Sequence, residues 1–358
     1  MRVAICWGGV SGYMAACWRA LAARQGIDLL VFNFQRQIDT AFNNEQVMAG
    51  VPHATLPIDQ ADSAAGATAL RKIILDHKAD VVSLSGWIHP AYVEVARDPA
   101  LAKIPFVMVM DTPLRRTWRQ KLARLKIGSY LDRMSRVIVP GERAWQLAKY
   151  LGVPEEKIRR AMYGVDYHEL QPLHAQRINR GGGWPRRFLF IGRYAQEKRV
   201  DVLLDAYAKY RTQAQDPFPL TCCGMGPMKH LLAGREGVED LGFVQPAEMP
   251  RNMLNAGALV LSSEYDPWPL VVVEACAAGL PVVCTEACGS AVELVRNDYS
   301  GMTVATANVD ALAAAMRWVH DRHAQLPEMG ARAQQFAAAY SAQVWADRWE
   351  RILGEVVR

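Results

Sequence analysis

The stretch from Leu259 to Val295, LVLSSEYDPWPLVVVEACAAGLPVVCTEACGSAVELV, constrains this chain more than any other. Ala258–Leu261 reads as a short apolar strand and Ser262–Trp268 as a polar, acidic loop. Pro269 stands where a helix begins, because its fixed φ and missing N–H suit a first helical turn. That helix runs to about Ala278, Gly279 closes it and Pro281 lies just beyond. Val282–Cys284 is the next strand, so the stretch is a βαβ unit of a parallel sheet. Glu274 is the oddity. Its helix neighbours are Leu270–Val273 and Ala275–Ala278, apolar all round, and a carboxylate in such a helix is costly unless something hydrogen-bonds it. A second acid, Asp266, lies in the loop before the helix.

The same rhythm fills the chain. Strands are expected at Arg2–Cys6, Leu29–Phe32, Val81–Leu84, Phe106–Met110 and Val137–Val139, with helices such as Tyr13–Arg24, Thr68–His77 and Glu142–Leu151 between them. It restarts at Phe188–Ile191 and Leu220–Cys223, with helices at Lys198–Tyr210, Met228–Leu232, Ala247–Asn255 and Asp310–Arg322. A chain of 358 residues exceeds one ordinary core. The expectation is α/β: two Rossmann-like, doubly wound parallel-sheet domains facing across a cleft. Residues 1–168 form the first, 169–183 a linker and 184–340 the second. The last helix, Ala342–Val357, carries Val344, Trp345, Trp349, Ile352 and Val356 at helical spacing.

Composition sets limits. Hydrophobic content of 51% and charged content of 22% are those of a globular protein, and no run of about eighteen apolar residues reads as a membrane span. MRVAICWGG reads as a first strand and not as a signal peptide. Seven cysteines without zinc spacing read as reduced core thiols of a cytoplasmic protein. A net charge of +5 implies no nucleic-acid partner.

Several residues could carry chemistry. Trp7-Gly8-Gly9-Val10-Ser11-Gly12 is a glycine-rich turn that would let backbone approach a phosphate at a helix N-terminus, but its spacing is not that of a dinucleotide fingerprint. Arg193 and Lys198 follow a strand end, and Lys198 near a helix N-terminus is electrostatically odd without an anion. A solvated pair, or Lys198 bridging Glu197 or Asp201, is the plainer alternative. Gly224 and Gly226 read equally as a loop beside a ligand or a tight turn. Asp111, at a strand end, is a site acid or a turn cap. Trp87 and His89 could line an acceptor site, and His89 reads as well as a structural histidine. From Arg115 to Arg136 there are eight Lys or Arg against one acid, Asp132, with Trp118, Leu122 and Leu125 at i, i+4 and i+7. Arg115–Lys126 is therefore a basic amphipathic segment: a contact for anionic membrane, or a solvated face over an ordinary apolar stripe.

Asp266-Pro267-Trp268-Pro269-Leu270, then Glu274-Ala275 and Gly279-Leu280-Pro281-Val282, resemble the signature of retaining family 4 glycosyltransferases of the GT-B fold. That signature places two Glu around seven residues, about a Glu-Pro-Phe-Gly-Leu core; here Asp266 replaces the first Glu and Pro269 the usual Gly. Gly192-Arg193 with Lys198 resembles the Gly-Arg-x-x-x-x-Lys segment, and Gly224-Met225-Gly226-Pro227 the Gly-x-Gly-Pro loop. Leu241–Val244 resembles the strand beside the base, Gly289–Glu293 the Gly-Gly-x-x-Glu loop, and Tyr163-Gly164-Val165-Asp166 the interdomain Asn-Gly-Val-Asp. The His often found before the acceptor region is replaced by Met110 or Asp111.

The resemblance implies sugar transfer from a nucleotide-diphosphate sugar, UDP favoured and GDP possible, to an acceptor hydroxyl with retention, in bacterial-type surface glycan or glycolipid synthesis. Asp266 would meet the donor sugar, Glu274 the ribose diol, and Arg193 and Lys198 the diphosphate. Gly9, Gly192, Gly224, Gly226 and the backbone of Trp268, Pro269 and Leu270 would complete the donor site, without metal or cofactor. The acceptor would be a glycan, a lipid-linked or a small molecule, and the family's terminal helix crosses back onto the first domain. A sugar-nucleotide epimerase of similar shape and a non-catalytic sugar-nucleotide-binding protein are the competing readings, the second suggested by the missing His and by Asp266.

Overall fold

The computed structural model describes residues 1–9, 12–35, 41, 43–60 and 63–357. Val10 and Ser11 of the glycine-rich turn, and Arg358, lie outside the described residues. The chain divides into two compact units, Met1–Val165 with Ala342–Arg358, and Asp166–Ser341.

The first unit holds seven strands: β1 (Arg2–Trp7), β2 (Asp28–Gln35), β3 (His53–Pro57), β4 (Val81–Ser85), β5 (Phe106–Val109), β6 (Met134–Val139) and β7 (Ile158–Arg160). They are ordered β3-β2-β1-β4-β5-β6-β7, every pair parallel. Side chains alternate between two faces, so one strand feeds two cores. Ala4 and Cys6 of β1 join Phe32, Phe34, Val82 and Leu84 on one face. Val3, Ile5 and Trp7 join Val31, Val81 and Val107 on the other.

The second face is covered by the helices Gly12–Ala22 and Ala342–Val357. Trp345 and Trp349 of the terminal helix are buried there, and their indole N–H groups donate to the carbonyls of Met162 (3.0 Å) and Ala161 (2.6 Å). Apolar burial and satisfied indoles together hold this helix on the first sheet.

The second unit holds β8 (Phe188–Ile191), β9 (Leu220–Cys223), β10 (Val238–Asp240), β11 (Ala258–Leu261), β12 (Val282–Thr285) and β13 (Gly301–Val304). The order is β10-β9-β8-β11-β12-β13, all parallel. The chain moves one way from β8 and the other way from β11, so strand order reverses between these two. Ligands of open parallel sheets bind at such a switch point, beyond the strands' C-terminal ends.

Residues 169–183, expected as a linker, are largely helical. Tyr167–Leu170 and Pro172–Asn179 are helices of the second unit, the second opened by Pro172. Arg177 on it is fully buried, donating to the carbonyls of Ala278 (3.0 Å), Gly279 and Met253 (2.8 Å) and stacking on Trp184. The segment docks because a buried guanidinium can satisfy carbonyls left open at helix ends. Residues 241–244, expected as a strand, are irregular; the edge strand β10 ends at Asp240. Among the described residues no helix is long and apolar enough to cross a membrane.

Candidate active site

In the second unit the loops after β8 and β11 meet at the switch point. Lys198 lies in a short 3-10 turn, Gln196–Lys198, and the long helix begins only at Val200. Between them Arg199 takes a left-handed conformation (φ 48°), fixed by its guanidinium on Asp201 and Glu264. Ser262 Oγ donates to the Lys198 carbonyl (2.8 Å) and the Glu264 N–H to the Glu197 carbonyl (2.8 Å). The turn is thereby stitched to the β11 loop, and Lys198 Nζ donates to the Asp266 carboxylate. Both side chains are largely buried. This pairing accounts for a cation ahead of a helix: its counter-ion comes from the neighbouring strand's loop. Arg193 extends outward and pairs with Glu197 one turn on.

The Asp266–Pro269 loop is fixed from its other side. The Gly289 N–H donates to the Asp266 carbonyl (2.9 Å) and Ser290 Oγ to the Pro269 carbonyl (2.9 Å). Trp268 is buried, its ring 6.0 Å from Tyr340. Leu270–Ala277 is the helix, and Gly279 ends it with φ 68°. It is not buried all round, as its composition suggested. Val271 and Glu274, one turn apart on the same face, retain partial exposure while the other side chains of the helix are buried. Among the described residues the Glu274 carboxyl has no hydrogen-bond partner, and burial, with a smaller push from the charge of Glu169, raises it to about 7.

Gly192, Gly224 and Gly226 lie at one junction. The Gly192 N–H donates to the Cys223 carbonyl (3.0 Å), and the Tyr194 N–H to the Met225 carbonyl (2.8 Å). A β-carbon on Gly224 would overlap the Gly192 carbonyl oxygen, and one on Gly226 (φ 149°) the Tyr194 carbonyl. These two glycines therefore let the β8 and β9 loops approach. Tyr194 anchors the junction by donating to Asp240 (2.7 Å).

In the first unit, Gly8 lies beside Ser85 and His89: a β-carbon there would stand 3.6 Å from Ser85 Oγ and 3.9 Å from His89 Nε2. Gly9, next to Gly8 in sequence, is buried. The His89 ring packs on Phe34 and Tyr92, and Trp87 packs on the same core. Asp111, just past β5, accepts from Tyr163 Oη (2.9 Å). Burial raises the Asp111 carboxyl, and the Tyr163 hydrogen bond opposes that rise. Tyr163, read from sequence only as part of an interdomain segment, is thus the partner of Asp111. Nothing in a separation of 52 residues signals it. Among the described residues no three His, Cys, Asp or Glu side chains gather as a metal site.

Comparison with known proteins gives the class. The fold is that of HepE from Anabaena, with a TM-score of 0.76 over 99% of this chain and 100% of that one at 20% identity. A D-rhamnosyltransferase, WbpZ of Pseudomonas aeruginosa, is 25% identical over 224 residues, 60% of this chain and 57% of that protein. Glycogen synthase of Mycobacterium tuberculosis is 32% identical over 157 residues, 42% of this chain and 37% of the enzyme. The chain thus spans little more than half of the first relative and little more than a third of the second. The protein is a GT-B glycosyltransferase by fold and family. Residues 8–164 match the Glycosyl transferase 4-like domain, and residues 178–336 match Glycosyl transferases group 1.

Proposed function

We propose that the protein transfers a sugar from a nucleoside-diphosphate sugar to an acceptor hydroxyl, with retention at the anomeric carbon, in surface glycan or glycolipid synthesis. The observation that carries this reading is the switch-point cluster of the second unit. There a cation and a carboxylate neutralise each other where a donor would lie, and a helix carboxyl, Glu274, has no hydrogen-bond partner among the described residues.

On donor binding, Lys198 turns from Asp266 to the diphosphate and joins Arg193. Asp266, released, accepts hydrogen bonds from the sugar hydroxyls, and Glu274 accepts from the ribose diol. The Leu270 and Val271 N–H groups, at the start of the Leu270–Ala277 helix, face the same anion. The acceptor oxygen attacks the anomeric carbon, the bond to the diphosphate oxygen breaks, and that oxygen takes the acceptor proton on the same face. The step needs no protein nucleophile; it needs stabilisation of the departing diphosphate's charge, which Lys198 and Arg193 supply.

HepE was crystallised with UDP and with UDP-glucose, which favours a UDP-sugar here over a GDP-sugar. The acceptor is assigned to the first unit, whose Trp87, His89 and Asp111 stand at or beyond strand ends. All seven cysteines are buried free thiols, which suits a cytoplasmic site of action.

A nucleotide-sugar panel tests the proposal, read first by thermal stabilisation and then by release of free nucleoside diphosphate. A transferase releases the diphosphate with acceptor and slowly without it. An epimerase alters the sugar and releases none, and a pure binder is stabilised but leaves the ligand intact; either result would overturn the reading.

A further inference from the structure

The helix Trp118–Arg133 in the first unit has two apolar stripes, and only one of them is used by the fold. Ala123 and Ile127 pack on the core, and Tyr130 and Leu131 are buried. Trp118, Leu122 and Leu125, also at i, i+4 and i+7, point outward and are 67%, 52% and 84% exposed. An ordinary core-facing stripe is one of the two readings of these three residues; the structure puts them on the opposite side from the core. Large exposed apolar side chains in a row call for a cover.

Cations surround the stripe. Arg115, Arg116, Arg119, Lys121 and Lys126 are exposed beside it. Arg116, Arg119, Lys121 and Lys126 form no ion pair among the described residues. The segment's one acid, Asp132, is taken by Arg124 (2.8 Å). Elsewhere in the same unit cations find carboxylates: Arg136 and Arg159 share Glu355, and Arg160 meets Glu142. The Arg119 guanidinium lies 5.4 Å from the Trp118 ring, so cation and apolar surface are one patch.

We propose that this face docks on an anionic phospholipid bilayer, with Trp118, Leu122 and Leu125 entering the interface and the cations lying among the headgroup phosphates. The three side chains span about 10 Å along the axis, two helical turns, so a helix lying in the membrane plane seats all of them at once. A soluble polyanion such as nucleic acid would use the cations and leave the apolar residues uncovered. An anionic bilayer takes both. The inference does not depend on the donor chemistry proposed above, and its test needs no substrate.

Sedimentation of the full chain with vesicles decides it, using equal parts phosphatidylglycerol and phosphatidylcholine against phosphatidylcholine alone. The wild type should sediment with the anionic vesicles at low salt, weaken as salt rises, and ignore the neutral ones. The triple variant Arg116→Gln, Arg119→Gln, Lys121→Gln should bind about a hundredfold more weakly. The triple variant Trp118→Ser, Leu122→Ser, Leu125→Ser should also lose binding with little change in melting temperature, because these side chains are all more than half exposed. Failure of the wild type to bind anionic vesicles at low salt would overturn the proposal. So would undiminished binding by the apolar variant, which would mark the face as a general polyanion site.

Discussion

Lys198 and Asp266, 68 residues apart in sequence, form an ion pair between the β8 and β11 loops of the second unit. The pair is only 18% and 11% exposed, so removing one partner takes the counter-charge from a largely buried group. Lys198→Ala should therefore cost stability on the order of 3 kcal/mol, and Lys198→Ala with Asp266→Asn should recover most of it. Transfer should behave differently: Lys198→Ala and Arg193→Ala should each lose about 2–4 kcal/mol of transition-state stabilisation, and the second Asp266 change should rescue nothing. Denaturant melts beside kcat/KM measure both, and a rescue of activity along with stability would reduce the pair to a structural contact.

Gly224 tests whether the β9 loop is shaped for a ligand or for its neighbour. Its missing β-carbon makes room for the Gly192 carbonyl. Gly224→Ala should push the two loops apart and lower stability by about 1–3 kcal/mol, as overpacking does. It should do so without any nucleotide present. A variant with an unchanged melting curve and weakened nucleotide affinity would place the glycine at the ligand instead.

Much of the architecture was legible because parallel strands buried on both faces read as short apolar runs. Phe106–Val109, Ala258–Leu261 and Val282–Thr285 are buried at every position and stand out in the sequence. The edge strands do not. His53–Pro57 alternates exposed and half-buried residues, and Val238–Asp240 has no buried residue, so neither carries a continuous apolar signal. Periodicity located the Trp118–Leu125 stripe but not its surroundings, since spacing identifies a face and not what covers it. Both halves of the Lys198–Asp266 pair were visible as separate chemistries. That they touch depends on the order β8-β11, which no local pattern encodes.

Arg177 was invisible to sequence reading, as a cation in a polar segment is ordinarily solvated. Its guanidinium caps the carbonyls at the end of the helix that carries Glu274, through Ala278 and Gly279, and also holds Met253. Arg177→Met keeps the length and loses these donors, leaving buried acceptors open. The expected cost is about 3–5 kcal/mol, with hydrogen exchange speeding up first at 276–280. A shift below about 0.5 kcal/mol, the range of ordinary surface changes, would show that water replaces the guanidinium there.

Glu274 makes the last prediction, because its protonation couples to both stability and nucleotide binding. Burial raises its carboxyl from 4.5 to about 7 in the folded chain. Between these values the folded state holds a proton that the unfolded state has released, so stability falls as pH rises across that window. Glu274→Gln carries no such penalty. Relative to wild type it should gain about 2–3 kcal/mol between pH 4 and pH 8. Nucleotide binding should run the opposite way. A ribose diol donates to both oxygens of the carboxylate, and more strongly than to the single carbonyl oxygen of the acid, so the wild-type affinity should rise by up to about tenfold from pH 6 to pH 8 as the carboxyl ionises. The diphosphate's own ionisation enters both proteins alike, and the difference between wild type and Glu274→Gln isolates the side chain. Calorimetry with the nucleoside diphosphate across that range reads it, and parallel pH profiles for the two proteins would remove Glu274 from the ribose.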